Sequence, residues 1–294
     1  MYKSGFVTIV GRANVGKSTL LNNIIGEKVS IISDKPQTTR NKIQCVYTES
    51  DHQIVFLDTP GIHKPKNRLG EYMMNISKNT LSEVDVVTFM VDNSKTIGQL
   101  DEFIISQLKG IKTTKILLIN KIDKLSMDEI GELILMYQKL NMFEEIIPVS
   151  ALNGTNVKEY VEIIKNLLPE GPQYFPEDMI TDRPERFIIS EIIREKTLNY
   201  LEEEVPHGIF VAIDMMKARD DRDLIDVHAT IYCERESHKG IIIGKNGRKL
   251  KGIGKSARMD IERLLGSQVN LQLWVKVEKN WRDKANKIKY FGYE

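Results

Sequence analysis

Short, almost wholly apolar runs recur through the first half of the chain, at Phe6 to Val10, Gln53 to Leu57, Val84 to Val91, Lys115 to Ile119 and Ile146 to Val149. Stretches of helical spacing separate them. Runs of this length without strict alternation suit strands covered on both faces, and their regular interleaving with helices predicts a doubly wound α/β sheet. Lys42 to Glu49 precedes the strand at Gln53 by only a short connection, so it is expected to pair antiparallel at the edge and make the sheet mixed. Val157 to Leu168 carries apolar residues at 157, 161, 163, 164, 167 and 168, the pattern of an amphipathic helix stopped by Pro169. A first domain is expected over 1–168.

The next stretch, Pro169 to Asp178, contains three prolines and a glycine and is expected to be a linker or an ordered crossover, with the linker as a whole set at 169–182. A smaller α/β domain is expected over 183–294. It opens with helical spacing from Arg186 to Leu201, with Phe187, Ile189, Ile192, Ile193 and Leu198 as core candidates. Strand patterns follow at Ile209 to Met215 and Leu224 to Cys233, separated by the charged turn Lys217 to Asp223. The apolar run Ile241 to Ile243, in which buried strand packing is expected of at least one isoleucine, a helix reaching about Leu265 and a strand over Val269 to Val277 complete it. Trp274 and Trp281 are expected to pack rather than to stack on bases, and His207, His228 and His238 show no metal spacing.

Composition changes this picture in one respect. With 294 residues, 41% of them hydrophobic, the chain can bury two ordinary cores, and its formal net charge is only +1. Yet residues 239–289 hold fourteen Lys or Arg against four Asp or Glu, a balance of +10 that leaves −9 for the remainder. Such segregation predicts that one end of the chain meets a polyanion. Cys45 and Cys233 lack metal-ligand spacing and fall in different expected domains, which argues against a disulfide and for a reducing compartment. Met1 to Gly5 leads straight into the first strand, so no secretory leader is expected, and no apolar run approaches a membrane-spanning length.

The chemistry concentrates at the carboxyl ends of the predicted strands, where open α/β sheets hold ligands. Gly11-Arg12-Ala13-Asn14-Val15-Gly16-Lys17-Ser18 fills all four fixed positions of a phosphate loop and sits between a strand and a helix. Its glycines let the backbone curl so that N–H groups point at an anion, favoured further by the dipole of the helix that follows. Nucleotide contacts are therefore assigned to Gly11, Asn14, Val15, Gly16, Lys17, Ser18 and Thr19, with Lys17 on the β- and γ-phosphates and Ser18 on Mg²⁺. Asn120-Lys121-Ile122-Asp123 follows a later strand. There the Asp123 carboxylate would accept from the adjacent N1–H and N2–H₂ donors of guanine, whereas adenine would present a repulsive lone pair. Lys121 would cover the ring, and Ser150, Ala151 and Leu152 would complete the pocket with backbone N–H contact to the guanine oxygen. Asp58-Thr59-Pro60-Gly61 is expected to hold the Mg²⁺ shell through Asp58 and the γ-phosphate through the Gly61 N–H. In the polar loop Asp34 to Arg40, one of two threonines should ligate Mg²⁺, Thr39 before Thr38. GTP or GDP with Mg²⁺ is thus the expected ligand set, with Lys17, Thr39 and Gly61 the expected catalytic groups.

These five elements, in this order, resemble the guanine-nucleotide-binding switch domains over residues 1 to about 168. Many of those proteins carry a water-orienting glutamine where this chain has Ile62, a departure similar to translation-related GTPases with an apolar residue there; slow intrinsic turnover is the consequence. In the second domain Gly244-Lys245-Asn246-Gly247 forms a G-x-x-G loop with basic flanks, and the element order resembles the KH module in its prokaryotic arrangement. That module clamps about four nucleotides of single strand beside an apolar groove. The corresponding contacts here would be Ile241, Gly244, Lys245, Asn246, Gly247, Arg248 and Lys249. Switch and KH module together resemble the Era family of bacterial GTPases across essentially the whole chain, through Pro36 to Arg40, Asp58 to His63, Asn120 to Asp123, Val149 to Ala151, Gly244 to Gly247, and Leu273 to Val277 with Trp281. The resemblance implies a cytoplasmic, monomeric factor for small (30S) ribosomal subunit maturation that binds 16S ribosomal RNA near its 3′ end and associates peripherally with the inner membrane. Two alternatives stand beside it: an RNA-binding module using GTP as a structural ligand, and a GTPase assisting RNA modification. The second domain shows no cysteine nucleophile or cofactor signature for the latter.

Overall fold

The computed structural model describes every residue of the chain except Asp34, Pro36, Gln37, His63, Lys64 and Glu294. Pro36, Gln37 and His63 of the expected switch loops therefore lie outside the described residues. The chain forms two compact units, one built on Met1–Ile32, Thr39–Pro65 and Gly70–Asp182, the other on Arg183–Glu294 with the short segments Ser33–Thr38 and Lys66–Leu69.

In the first unit, the elements run β1 (Lys3–Val10), α1 (Lys17–Ile25), β2 (Ile43–Glu49), β3 (His52–Asp58), α2 (Arg68–Thr80), β4 (Val86–Val91), α3 (Gln99–Lys109), β5 (Thr114–Asn120), α4 (Met127–Gln138), β6 (Glu145–Val149) and α5 (Val157–Leu167). The six strands form one sheet in the order β2-β3-β1-β4-β5-β6. All neighbours are parallel except β2 and β3, whose antiparallel register sets Ile43 opposite Asp58 and Glu49 opposite His52. The expected edge strand is therefore where its short connection put it. β3 and β4 are buried along their whole length, which is why they read as continuous apolar runs. Because β1 has β3 on one side and β4 on the other, the loop after β1 opens at the point where strand order reverses, the place where such sheets receive ligands.

The proline-rich stretch after α5 is ordered along this unit up to Asp182. Ser4 Oγ donates to the Pro172 carbonyl at 2.7 Å. Gln53, wholly buried, uses both ends of its amide: Nε2 donates to the Phe175 carbonyl at 2.9 Å, and Oε1 accepts from the Tyr174 and Phe175 N–H groups at 2.9 and 3.0 Å. Farther on, the Val46 N–H donates to the Ile180 carbonyl at 2.8 Å, and Thr181 Oγ1 donates to the Gln44 carbonyl at 2.7 Å. The stretch thus covers the otherwise open edge of β2, a row of backbone groups that would be free to pair with another chain.

The second unit contains α6 (Glu185–Asn199), β7 (Phe210–Ala218), β8 (Leu224–Cys233), α7 (Glu236–Ile243), α8 (Arg248–Leu265), β9 (Gln268–Val277) and α9 (Ala285–Tyr290). Its sheet order is β7-β8-β9, with β7 and β8 antiparallel and β8 and β9 parallel. A parallel pair needs a crossover, supplied by α7 and α8. Two sequence expectations change. β7 continues to Ala218, past Met215, because a bulge between Ile213 and Met215 lets the strand absorb the break in its alternation. Ile241 to Ile243 is not extended but forms the last turn of α7. Successive residues there point about 100° apart, so only Ile242 is fully buried while Ile241 is 43% exposed. In α8, Ile253, Ala257 and Ile261 recur every fourth position on the buried face. Trp281 is fully buried, donates from Nε1 to the Gly208 carbonyl at 2.9 Å, and packs against Phe210, Phe291 and Tyr293. Among the described residues no helix is long and apolar enough to cross a membrane.

Candidate nucleotide site and RNA-binding loop

The loop between β1 and α1 owes its shape to its glycines. A Cβ on Gly11 would lie 2.3 Å from the Met90 carbonyl oxygen, and one on Gly16 would lie 2.2 Å from the Asn120 amide nitrogen. Gly16 has φ +110° and Asn14 φ 66°, left-handed values that turn successive N–H groups inward. Lys17 heads α1 with its ammonium donating to the carbonyls of Gly11 and Arg12 at 3.1 and 2.9 Å. It is almost fully buried; burial lowers its pKa from 10.5 to about 8, against a smaller upward pull from Asp58. Ser18 and Thr19 follow in the same first turn.

Asp58 ends β3 with no exposed surface. Its Oδ2 accepts from Ser30 Oγ at 2.7 Å and from Thr39 Oγ1 at 3.4 Å, while Oδ1 is buried without a hydrogen-bond partner. Burial raises the pKa of this carboxyl, and the Ser30 bond, Lys17 and Thr39 counter it only in part. The two threonines of the preceding loop separate here. Thr39 faces Asp58, whereas Thr38 Oγ1 donates to the Lys35 carbonyl at 2.6 Å. Ser30 was not foreseen from sequence, since a lone serine in a polar loop carries no spacing signal. Gly61 lies over the phosphate loop: a Cβ on it would come 3.5 Å from the Lys17 ammonium and 3.4 Å from the Ala13 nitrogen. Ile62 is 1% exposed and sits in the apolar cluster with Val10, Leu57, Met74 and Phe89.

Asn120 ties the phosphate loop to the other end of the site. Its Nδ2 donates to the Val15 carbonyl at 2.7 Å and its Oδ1 accepts the Ala151 N–H at 2.9 Å. Of the backbone N–H groups of Ser150 to Leu152, the segment expected to meet a guanine oxygen, that of Ala151 is thus engaged by Asn120, whose side chain buttresses the pocket loop from behind. Lys121 Nζ donates to the Asn14 carbonyl at 2.7 Å, which lays its stem across the space between the loops. Ser150 Oγ donates to Asp123 Oδ1 at 2.6 Å and so sets the orientation of the carboxylate. Leu152 is 74% exposed at the rim. Apart from Thr38, the residues singled out for a guanine nucleotide therefore lie together at one end of the first unit's sheet.

In the second unit, the G-x-x-G loop joins α7 to α8. Gly244, Asn246 and Gly247 have φ of +70°, 53° and +73°. A Cβ on Gly244 would come 2.7 Å from the Lys249 Cβ, whereas one on Gly247 would meet nothing within 4 Å. Lys245 and Arg248 are exposed and Lys249 half-buried, at the start of an 18-residue helix with no acidic residue in its first turn. Backbone shape, helix dipole and side-chain charge all favour an anion at this loop.

A phosphate loop, an Asp58-type strand end and a guanine-directed Asn-Lys-x-Asp segment on a doubly wound sheet, joined to a KH domain, define an RNA-binding class of P-loop GTPase. A family model described as 50S ribosome-binding GTPase matches residues 6–121, and the KH domain model matches residues 204–282. The chain belongs to the Era family of GTPases. It is 62% identical over 294 residues to GTPase Era of Clostridioides difficile (strain 630) and 61% identical over 293 residues to that of Alkaliphilus metalliredigens (strain QYMF), in each case covering 100% of this chain and 99% of the relative. A crystal structure of Era in complex with MgGDPNP and nucleotides 1506–1542 of 16S ribosomal RNA superposes with a TM-score of 0.95 at 45% identity, covering 100% of this chain and 99% of that one.

Proposed function

We propose that this GTPase is a nucleotide-controlled switch that binds 16S ribosomal RNA near its 3′ end through its KH unit and assists assembly and maturation of the 30S subunit, acting as a monomer in the cytoplasm. The observation that carries the nucleotide half is Asn120, which joins the phosphate loop and the base-recognition loop in one hydrogen-bonded frame. The RNA half rests on the positive-φ loop with its basic helix start and on the Era complex with a 16S segment. Two free, buried cysteines suit a reducing cytoplasm.

Lys17 neutralises charge on the β- and γ-phosphates, and the Gly61 N–H stabilises the charge developing at the transferred phosphoryl group. The orphaned Oδ1 of Asp58, beside Thr39 and with Ser18 on the adjacent helix start, is the donor set a hard cation takes, so these residues fit Mg²⁺. Held by these residues, Mg²⁺ would neutralise phosphate charge on the bound nucleotide. Asp123 and Ser150 select the base, and Lys121 covers it. Because Ile62 is packed into the core, no side chain from that position reaches a water, and unaided turnover is slow.

For the switch to control RNA, GTP must favour the RNA-competent arrangement by differential affinity, and RNA must then favour GTP by the same factor. The test compares affinity for a 16S 3′-end segment with a GTP analogue and with GDP bound, alongside phosphate release with and without that RNA. Different affinities and RNA-responsive turnover are expected. Equal affinities over several RNA lengths would refute the coupling, and turnover absent under every condition would favour GTP as a structural ligand.

A further inference from the structure

Arg12 lies in the phosphate loop but at none of its fixed positions, and its side chain turns away from the phosphate cradle into a cluster of acids. Its Nε donates to the two Asp101 oxygens at 3.3 and 3.0 Å, and its Nη2 to Ser94 Oγ at 2.8 Å and to Asp92 Oδ1. The Asp101 side chain is 2% exposed and that of Asp92 13%. Asp92 directly follows β4, the strand beside the loop. Ser94 holds its rotamer by donating to Oδ1 from both the hydroxyl, at 2.6 Å, and the backbone N–H, at 3.2 Å.

The second oxygen of Asp92 faces elsewhere. Oδ2 lies 3.5 Å from Lys121 Nζ, the ammonium that also rests on the Asn14 carbonyl. One carboxylate therefore grips, by its two oxygens, a side chain of the phosphate loop and the lysine that covers the base. The Arg12 end matters for phosphate binding because the Arg12 carbonyl is one of the two acceptors for the Lys17 ammonium. Moving the Arg12 side chain would tilt the peptide on which Lys17 is parked. At the other end, an unbalanced Lys121 would settle differently on the Asn14 carbonyl and over the guanine ring.

We propose that Asp92 is a positioning residue that couples base recognition to phosphate grip, by holding Arg12 and Lys121 in one ion-paired frame with Asp101 as the fixed anchor of the Arg12 side. This rests on the guanine-nucleotide reading of the site. Its consequence is that guanine seated under Lys121 and phosphate seated on the loop reinforce each other, so the site discriminates against a correct tail on a wrong base more sharply than two independent half-sites would.

The test is a double-substitution cycle on the full chain, using Arg12→Met and Lys121→Met, which keep the stems and remove the charges. Affinity and release rate for a fluorescent GDP are read by stopped flow, with ADP competition as a control on the unsubstituted protein. Coupling predicts that the double variant loses less than the product of the two single losses, by about five-fold or more. It also predicts that Asp92→Asn removes this non-additivity while leaving each charge in place. If Arg12→Met does not fold, the same cycle is run between Asp92→Asn and Lys121→Met, with the same expectation of non-additivity. Losses that simply multiply overturn the proposal. A failure of the unsubstituted protein to prefer GDP over ADP would instead overturn the guanine-nucleotide reading itself, so the two failures are distinguishable.

Discussion

Nucleotide binding should take up a proton at Lys17. The ammonium is buried on the carbonyls of Gly11 and Arg12, and its pKa falls from 10.5 to about 8, chiefly through desolvation. A fall of roughly 2.5 units at about 1.36 kcal/mol each means that the charged lysine costs the folded protein on the order of 3 kcal/mol near neutral pH. The sign follows from proton counts. Between pH 8 and pH 10.5 the unfolded chain binds the proton and the folded chain does not, so stability rises with pH across that window. A polyphosphate beside Nζ favours the charged form and restores a pKa at or above the ordinary one. GDP affinity should therefore fall as pH rises above about 8, with proton uptake on binding growing toward one per molecule as pH climbs through that region. The assay is calorimetry of GDP binding in buffers of different ionisation enthalpy, with EDTA present. Chelation matters because burial also raises the pKa of Asp58, whose proton would leave on metal binding and mask the uptake. Lys17→Arg, permanently charged, should remove the rise over the range below about pH 8.5, where the guanine N1–H is still intact. An uptake that stays flat across that range, or that is undiminished there in the arginine variant, would refute the reasoning.

Other substitutions test the remaining parts of the site and the fold. Ile62→Gln should not speed hydrolysis; it places an amide in the apolar cluster and should destabilise the first unit by about 2–4 kcal/mol, read from urea unfolding alongside phosphate release. Gly244→Ala should be the more damaging of the two loop-glycine substitutions. Gly247 lies in the ordinary left-handed region at ψ 7°, where alanine costs about 1 kcal/mol, whereas Gly244 at ψ 174° lies in a region nearly confined to glycine and its methyl would also strike Lys249, so Gly244→Ala should weaken binding of a single-stranded RNA more, as fluorescence anisotropy would show. Trp281→Ala should cost about 3–5 kcal/mol by emptying its aromatic pocket, and Trp281→Phe less, with loss of the Nε1 bond to Gly208; equal melting shifts for the two would contradict the packing account.

Much of the candidate nucleotide site was legible in the residues because the chemistry proposed for it is local. The cradle needs glycines where a Cβ would strike Met90 or Asn120, and those glycines recur at fixed spacing within eight residues. The strand pattern was legible for a related reason: a sheet covered on both faces leaves continuous apolar runs such as β3 and β4. The Ile241 to Ile243 run shows the limit, since three β-branched residues suit a strand as well as the end of α7, and only the occupied three-stranded sheet decides between them.

What tertiary structure alone decided are contacts between residues far apart in the chain. Gln53 latches the proline-rich stretch from 122 positions away, Ser30 steadies Asp58, and Asp92 pairs with Arg12 and Lys121 across two strand ends. None of these leaves a period or a spacing, because hydrogen-bond and ion-pair partners are chosen by proximity after folding. Sequence therefore dictated the elements and the phosphate and base chemistry, through short-range backbone sterics and hydrophobic periodicity. Which polar side chains hold that chemistry in place was settled only when the sheet brought its strand ends together.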